Sequence, residues 1–224
     1  MLYKNKIPLY LMPGMAASPR IFEYIELPET FELVKLSWMS PLKGEKLNQY
    51  AQRMCERITH KDPVLLGVSF GGILVQEMSK HISCRKVIIV SSVKSNAEFT
   101  LSLKLAKTTG AHKLLPTQWI ESLESLALYV FGPSIQSKVT AYQTYLSERD
   151  PAYRDWSIDQ IVHWDQTEIN PEVIHIHGDK DVVFPIKNLD TSHQFYKLKK
   201  ATHAMILTHH KWFNENLPSI ILNA

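Results

Sequence analysis

The chain is poor in cysteine and glycine: 224 residues contain two Cys, Cys55 and Cys84, and eight Gly. Two thiols cannot knit a disulfide scaffold, and so little glycine excludes collagen-like and flexible-linker architectures. It also lacks a charge excess. Lys+Arg 25 against Asp+Glu 22 leaves a formal net charge of +3, too little to mark a nucleic-acid or membrane surface. No stretch approaches the roughly 18 apolar residues of a membrane-crossing helix. The apolar run Ile7 to Met12 reads as a core strand rather than a secretion signal, since it is interrupted by Pro8 and leads straight into Pro13-Gly14. These absences point to a reduced, cytoplasmic protein with neither a nucleic-acid partner nor a membrane span. What is present is core-forming material, 45% hydrophobic residues, in a chain long enough to bury roughly 70% of its unfolded surface.

Short apolar runs alternate with longer amphipathic ones, the pattern of a parallel sheet covered by helices. Strands are predicted over Ile7 to Met12, Phe31 to Leu36, Pro63 to Val68 and Lys86 to Ser91, then over Glu172 to His177 and His193 to Leu198. The unbroken apolar cores at 64–66 and 87–90 suit strands buried on both faces. Helical spacing recurs within Glu45 to Ile58 and within Gly72 to His81. Alternation stops between Val93 and Asp165. Helical patterns there, such as Phe99 to Ala106 and Gln118 to Tyr129, are broken by Gly110, Pro116, Gly132-Pro133 and Asp150-Pro151. About seventy residues of this kind exceed the roughly 2–6-residue loops of regular alternating units. The reading is one α/β domain over residues 1–224 with a helical cap inserted at 93–165.

The segment richest in chemistry is Gly67-Val68-Ser69-Phe70-Gly71-Gly72, which leaves a buried strand and opens an amphipathic helix. A serine on such a tight turn projects its hydroxyl above the sheet, and side chains at the flanking positions would collide with neighbouring backbone. The helix beginning near Phe70 also turns free N–H groups toward the same space. A dinucleotide fingerprint fits less well, because its middle glycine is Ser69 here.

A serine hydroxyl is a weak nucleophile until a base takes its proton, and that base needs a third group to orient it. Ten histidines are on offer. In the order Ser, acid, His, the acid follows a late strand and the base follows the next one. The turn after Ile174 to His177 carries two carboxylates, Asp179 and Asp181, and His203 comes after the following strand. On the residues alone either Asp fits. His209 and His210 are further candidates for the base, although the start of a surface helix explains them as well. His175 and His177 alternate on a strand and read as hydrogen-bonded core residues, because no Cys or Glu at ligand spacing completes a metal site with them. Cys55 and Cys84 have no companion that would activate a thiol and read as structural.

Three elements together resemble the α/β-hydrolase superfamily, and the resemblance spans essentially the whole chain. GVSFGG is similar to the family's nucleophile elbow, HGDKDVVFP to its acid turn, and Thr202-His203 falls where its histidine is expected. The resemblance implies a mostly parallel central sheet flanked by helices, with Ser69 as nucleophile, Asp181 rather than Asp179 as acid, and His203 as base. It places the oxyanion donors at the backbone N–H groups of Met15 and Phe70. Two departures stand out: Pro13-Gly14 where relatives often have His-Gly, and Thr202 where many have Gly. The implied activity is cleavage of a carboxylic ester, or a related acyl bond, of a small molecule through an acyl-enzyme, with no cofactor and no metal. The alternatives are a lyase or carbon–carbon hydrolase using the same groups, or a non-catalytic ligand-binding member. Aromatics of the 93–165 region, among them Trp119, Tyr129, Phe131, Tyr142, Tyr145, Tyr153, Trp156 and Trp164, are expected mainly to pack that region onto the core, and some to line an apolar cleft. Lys197-Leu-Lys-Lys200 reads as a solvated strand edge.

Overall fold

Each predicted apolar run becomes a strand, and all six lie in one sheet. The computed structural model describes residues 6–109, 145 and 150–223. The strands are β1 (Ile7–Met12), β2 (Phe31–Lys35), β3 (Val64–Val68), β4 (Lys86–Val90), β5 (Ile174–Gly178) and β6 (Phe195–Leu198). They run in the order β2-β1-β3-β4-β5-β6, and every neighbouring pair is parallel. The described helices are α1 (Leu47–Cys55), α2 (Phe70–Met78), α3 (Leu101–Thr109), α4 (Pro151–His163), α5 (Met205–Thr208) and α6 (His210–Leu222).

Alternation along the strands feeds two cores, one on each face of the sheet. Leu9, Leu11, Leu66, Ile88 and Ile176 pack on one face with Phe213, Leu217 and Ile221 of α6. Tyr10, Met12, Leu65, Ile89 and Val87 pack on the other with Tyr50 and Met54 of α1 and Leu74 and Met78 of α2. Each such fully buried side chain contributes about 1.5–3 kcal/mol relative to exposure, which is why the central strands read as unbroken apolar runs. β6 closes one edge of the sheet, and its Lys197 is exposed, as are Lys199 and Lys200 beyond it.

Strand ends depart from the periodicity where backbone donors are used elsewhere. β3 starts at Val64 because Pro63 has no N–H; its carbonyl accepts from the Arg85 N–H at 2.9 Å. β5 starts at Ile174 because Asn170 first makes a turn. The Asn170 carbonyl accepts the Val173 N–H at 3.2 Å, and its side chain accepts the Glu172 N–H at 2.9 Å.

β4 and β5 pair directly, so the chain between them leaves and re-enters the sheet at adjacent strands. Of the 93–165 segment, α3 and α4 lie within the described residues. The helix predicted over Gln118 to Tyr129, with Trp119, Phe131 and Tyr142, lies outside them. α4 docks on α1: the Trp156 indole N–H donates to the Glu45 carbonyl at 2.7 Å, and the Gln160 side chain accepts the Leu47 N–H at 2.8 Å. Among the described residues no helix is long and apolar enough to cross a membrane.

Candidate active site

The connections from β1 diverge, first to β2 on one side and later to β3 on the other. In open parallel sheets, ligands bind in the crevice formed where such a reversal occurs, at the carboxyl ends of the strands. Met12 at the end of β1 is in register with Gly67 in β3. The Pro13-Gly14-Met15 loop and the Ser69 turn therefore emerge side by side. A Cβ on Gly14 would lie only 3.4 Å from the Cβ of Ser69.

Ser69 is the residue between β3 and α2, at φ 53° and ψ −121°. Holding a non-glycine residue there costs on the order of 1–3 kcal/mol, and the surroundings must impose it. The Ser69 N–H donates to the Val90 carbonyl at 2.9 Å, while its carbonyl accepts from the Gly72 N–H and the Ser92 hydroxyl, both at 2.8 Å. The flanking glycines permit the tightness. A Cβ on Gly67 would sit 2.1 Å from the Gly71 carbonyl oxygen, and one on Gly71 would sit 2.4 Å from that of Pro13.

Asp181 follows β5, and His203 follows β6. A Cβ on Gly178 would be 2.2 Å from the Ala201 carbonyl oxygen, so glycine there lets the two turns touch; the Lys180 N–H donates to that same oxygen at 2.9 Å. The Asp181 Oδ1 accepts the Val183 and Phe184 N–H groups at 2.9 and 3.0 Å. Its Oδ2 lies 2.8 Å from His203 Nδ1, and His203 Nε2 lies 3.0 Å from the Ser69 hydroxyl oxygen. The structure thus brings Ser69, His203 and Asp181 into one hydrogen-bonded chain. An ionised Asp181 accepts at Oδ2, so His203 carries its proton on Nδ1 and leaves Nε2 free to accept from Ser69. His203 and Asp181 are each only 5% exposed. Burial pushes the Asp181 carboxyl up, but His203, His177 and the Phe184 N–H outweigh it and hold the pKa below its ordinary value.

Asp179 stands apart: its carboxylate accepts the Lys200 N–H at 2.6 Å and holds the turn. His209 and His210 bond to Thr208 and to the Leu207 carbonyl, at the start of α6. Among the described residues no acceptor takes the N–H of Met15 or of Phe70. Both thiols are half-buried, and burial lifts each to about 11, so neither is primed as a nucleophile. Among the described residues no group of three or more His, Cys, Asp or Glu is placed to hold a metal ion.

Two side chains near this chain carry more than their sequence signal declares. His177, which reads from its strand pattern as a satisfied core residue, donates from Nε2 to the Phe184 carbonyl at 2.9 Å; the same nitrogen lies 3.4 Å from Asp181 Oδ2. Its Nδ1 accepts from His175 Nε2 at 3.0 Å, since the Phe184 carbonyl already fixes which nitrogen holds the proton. The other is Trp38, just beyond β2, whose indole N–H donates to the Gly14 carbonyl at 2.8 Å. An aromatic residue at the carboxyl end of a predicted strand is the only signal the sequence offers for it. Tyr153 and Trp156 of α4 pack beside it, with Tyr153 5.2 Å from Trp38 and Trp156 6.0 Å from Phe70 between ring centroids. These two aromatics of α4 thus pair with aromatics of the core.

No protein-family model matches the sequence, and no curated protein matches it. Solved structures do. A hydrolase from Oleispira antarctica superposes with a TM-score of 0.78 at 13% identity, over 98% of this chain and 92% of that one. A hydrolase from Pseudomonas aeruginosa gives 0.75 at 13%, over 98% and 91%. An esterase from Exiguobacterium antarcticum gives 0.71 at 17%, over 97% and 92%. The likeness lies in the path of the backbone, and it joins the parallel sheet and the strand order above in one conclusion: this chain has the α/β-hydrolase fold.

Proposed function

We propose that the protein is a serine hydrolase that cleaves a carboxylic ester, or a closely related acyl bond, of a small molecule. The observation that carries this reading is the unbroken contact from Ser69 through His203 to Asp181. Solved structures of the same fold that are hydrolases and an esterase support it. Ser69 Oγ attacks the carbonyl carbon while its proton passes to His203 Nε2. Asp181 keeps the imidazole in the required tautomer and stabilises the imidazolium. The carbonyl π electrons move onto oxygen, where the Met15 and Phe70 N–H groups receive the charge. When the carbon–oxygen bond breaks, the leaving alcohol takes the proton from His203. Water then attacks the acyl-enzyme, His203 accepts its proton, and the acid departs with Ser69 restored. Tyr153 and Trp156 of α4, packed beside Trp38 and Phe70, would help to select the acyl and alcohol groups.

Reaction with a fluorophosphonate probe tests the assignment. The intact protein is expected to gain one adduct mass on Ser69, and Ser69→Ala to gain none. Ser69→Ala and His203→Ala are each expected to lower turnover of p-nitrophenyl esters by about five to six decades, as in coupled triads. An adduct that persists in Ser69→Ala, or a loss below tenfold in either variant, overturns it.

A further inference from the structure

The peptide joining Gly14 to Met15 is planar, and its C=O and N–H point in opposite directions. Whatever fixes the Gly14 carbonyl therefore aims the Met15 N–H. That carbonyl is held twice. The Ala17 N–H reaches it at 3.1 Å, closing a tight turn in which Ala16 sits at φ 60°. Left-handed backbone is unfavourable for an L-residue, so this turn carries strain of its own. The second hold comes from outside the turn, from the Trp38 indole N–H at 2.8 Å. Trp38 is 8% exposed and rises from the end of β2, on the far side of β1 from Ser69.

The same indole reaches the other donor. Its ring lies nearly parallel to that of Phe70, with centroids 5.0 Å apart and planes 10° apart. Phe70 opens α2, and its N–H is unclaimed among the described residues. Tyr153 and Tyr50 pack against the indole at 5.2 and 6.1 Å and leave it little room to rotate. One side chain thus bonds to the peptide that presents the first donor and stacks on the residue that presents the second.

We infer that Trp38 is a positioning residue for the oxyanion site, a role that rests on the serine-hydrolase reading. Charge stabilisation of this kind works only if the donors are fixed before the charge appears. Trp38 supplies that fixity to Met15 through the Gly14 carbonyl, and to Phe70 through the ring. Its part in the reaction runs through these two residues. Its loss is expected to weaken the transition state while leaving ground-state binding intact.

The cleanest test replaces only the N–H, by incorporating benzothienylalanine at position 38, where sulfur stands in for the nitrogen. Trp38→Phe serves as a second variant that keeps an aromatic face for Phe70. Turnover of p-nitrophenyl butyrate is measured per active site titrated with a fluorophosphonate, which cancels any loss of folded protein. Binding of an alkyl boronic acid, whose tetrahedral adduct mimics the oxyanion, is compared with binding of butyrate. Removing a whole oxyanion donor costs about 10²–10³ in kcat, so loosening one is expected to cost about tenfold, with KM within about twofold. Boronate affinity should fall by the same factor and butyrate affinity should hold. A kcat per titrated site within twofold of the parent for the sulfur isostere overturns the role of Trp38, as does a loss carried by KM alone. Failure of the parent protein itself to react with the fluorophosphonate or to hydrolyse any ester overturns the hydrolase reading, and this proposal with it.

Discussion

Two glycines separate what steric crowding costs from what backbone conformation costs. A methyl group at Gly67 would meet the carbonyl oxygen and carbon of Gly71 at 2.1 and 2.4 Å. Both belong to the backbone, so the turn that presents Ser69 would have to open. Gly44 has a left-handed φ of 74°, but a methyl group there would meet nothing within 4 Å. Gly44→Ala is expected to cost about 1–2 kcal/mol, from conformation alone. Gly67→Ala is expected to cost more, about 3 kcal/mol, the upper end of forced overpacking. It should also slow fluorophosphonate labelling of Ser69, which Gly44→Ala leaves alone. Urea unfolding of both variants checks the order, and equal midpoints would refute the crowding argument. The Ser69 turn is legible in the sequence because its signature is local, even though Pro13 and Val90 help to impose it: small residues at 67 and 71, apolar strand before, amphipathic helix after. Trp38 is not. It meets Gly14 only because β1 and β2 lie side by side in the register Ile7 to Phe31, which no window around Trp38 contains. His177 is an intermediate case. Its strand alternation predicts burial, yet its closeness to Asp181 depends on how the turn after β5 curls back.

Elements are easier to find than their ends. β3 and β4 announce themselves by runs that need no partner to be recognised, whereas β5 loses its first two predicted residues to the Asn170 turn. α1 shows why ends are hidden. Its first N–H, at Leu47, is satisfied by the Gln160 side chain of α4, 113 residues later in the chain. The bond joins the segment inserted between β4 and β5 to the helix that packs under the sheet. Removing an acceptor from a helix N-terminus costs about 0.5–2 kcal/mol. Gln160→Ala is therefore expected to lower the stability measured by urea unfolding by about 1 kcal/mol. Gln160→Glu retains an acceptor and adds negative charge beside the positive end of the helix dipole, so it should match or exceed the parent. If Gln160→Ala unfolds at the parental midpoint, the cap is idle and α4 is held by its aromatic contacts alone.

At the scale of the molecule, the parallel sheet and its helical layers can be read from alternation, whereas the position of β2 outside β1 is a property of the assembled sheet that no single segment encodes. Assembly also gathers titratable groups that are far apart in sequence, and their burial makes stability depend on pH. His175 and His177 are fully buried, and both have pKa values lowered from the ordinary histidine value of 6.5. For His175 burial leads, followed by the neighbouring His177 and Lys94; for His177 burial leads, and Asp181 and the Phe184 carbonyl only partly oppose it. A histidine with a lowered folded pKa binds its proton more readily in the unfolded chain. Its contribution is complete above the unfolded value and is lost as pH falls below about 6.5. Asp181, also lowered, keeps its contribution until pH drops through the acid range below its ordinary value of 3.8. Glu98 works the other way, because burial raises it, and its protonation partly offsets the loss at acid pH. Between pH 6.5 and 5 the histidines are therefore expected to dominate these shifted groups, each steepening the fall by up to about 1.4 kcal/mol per pH unit. His175→Phe removes one of them in a setting that already includes Phe195, whose ring is 5.0 Å away. Whatever it does to stability at pH 8, it should flatten the decline between pH 6.5 and 5 by up to about half, as urea unfolding at a series of pH values would record. An unchanged slope would mean that His175 takes no part in acid unfolding.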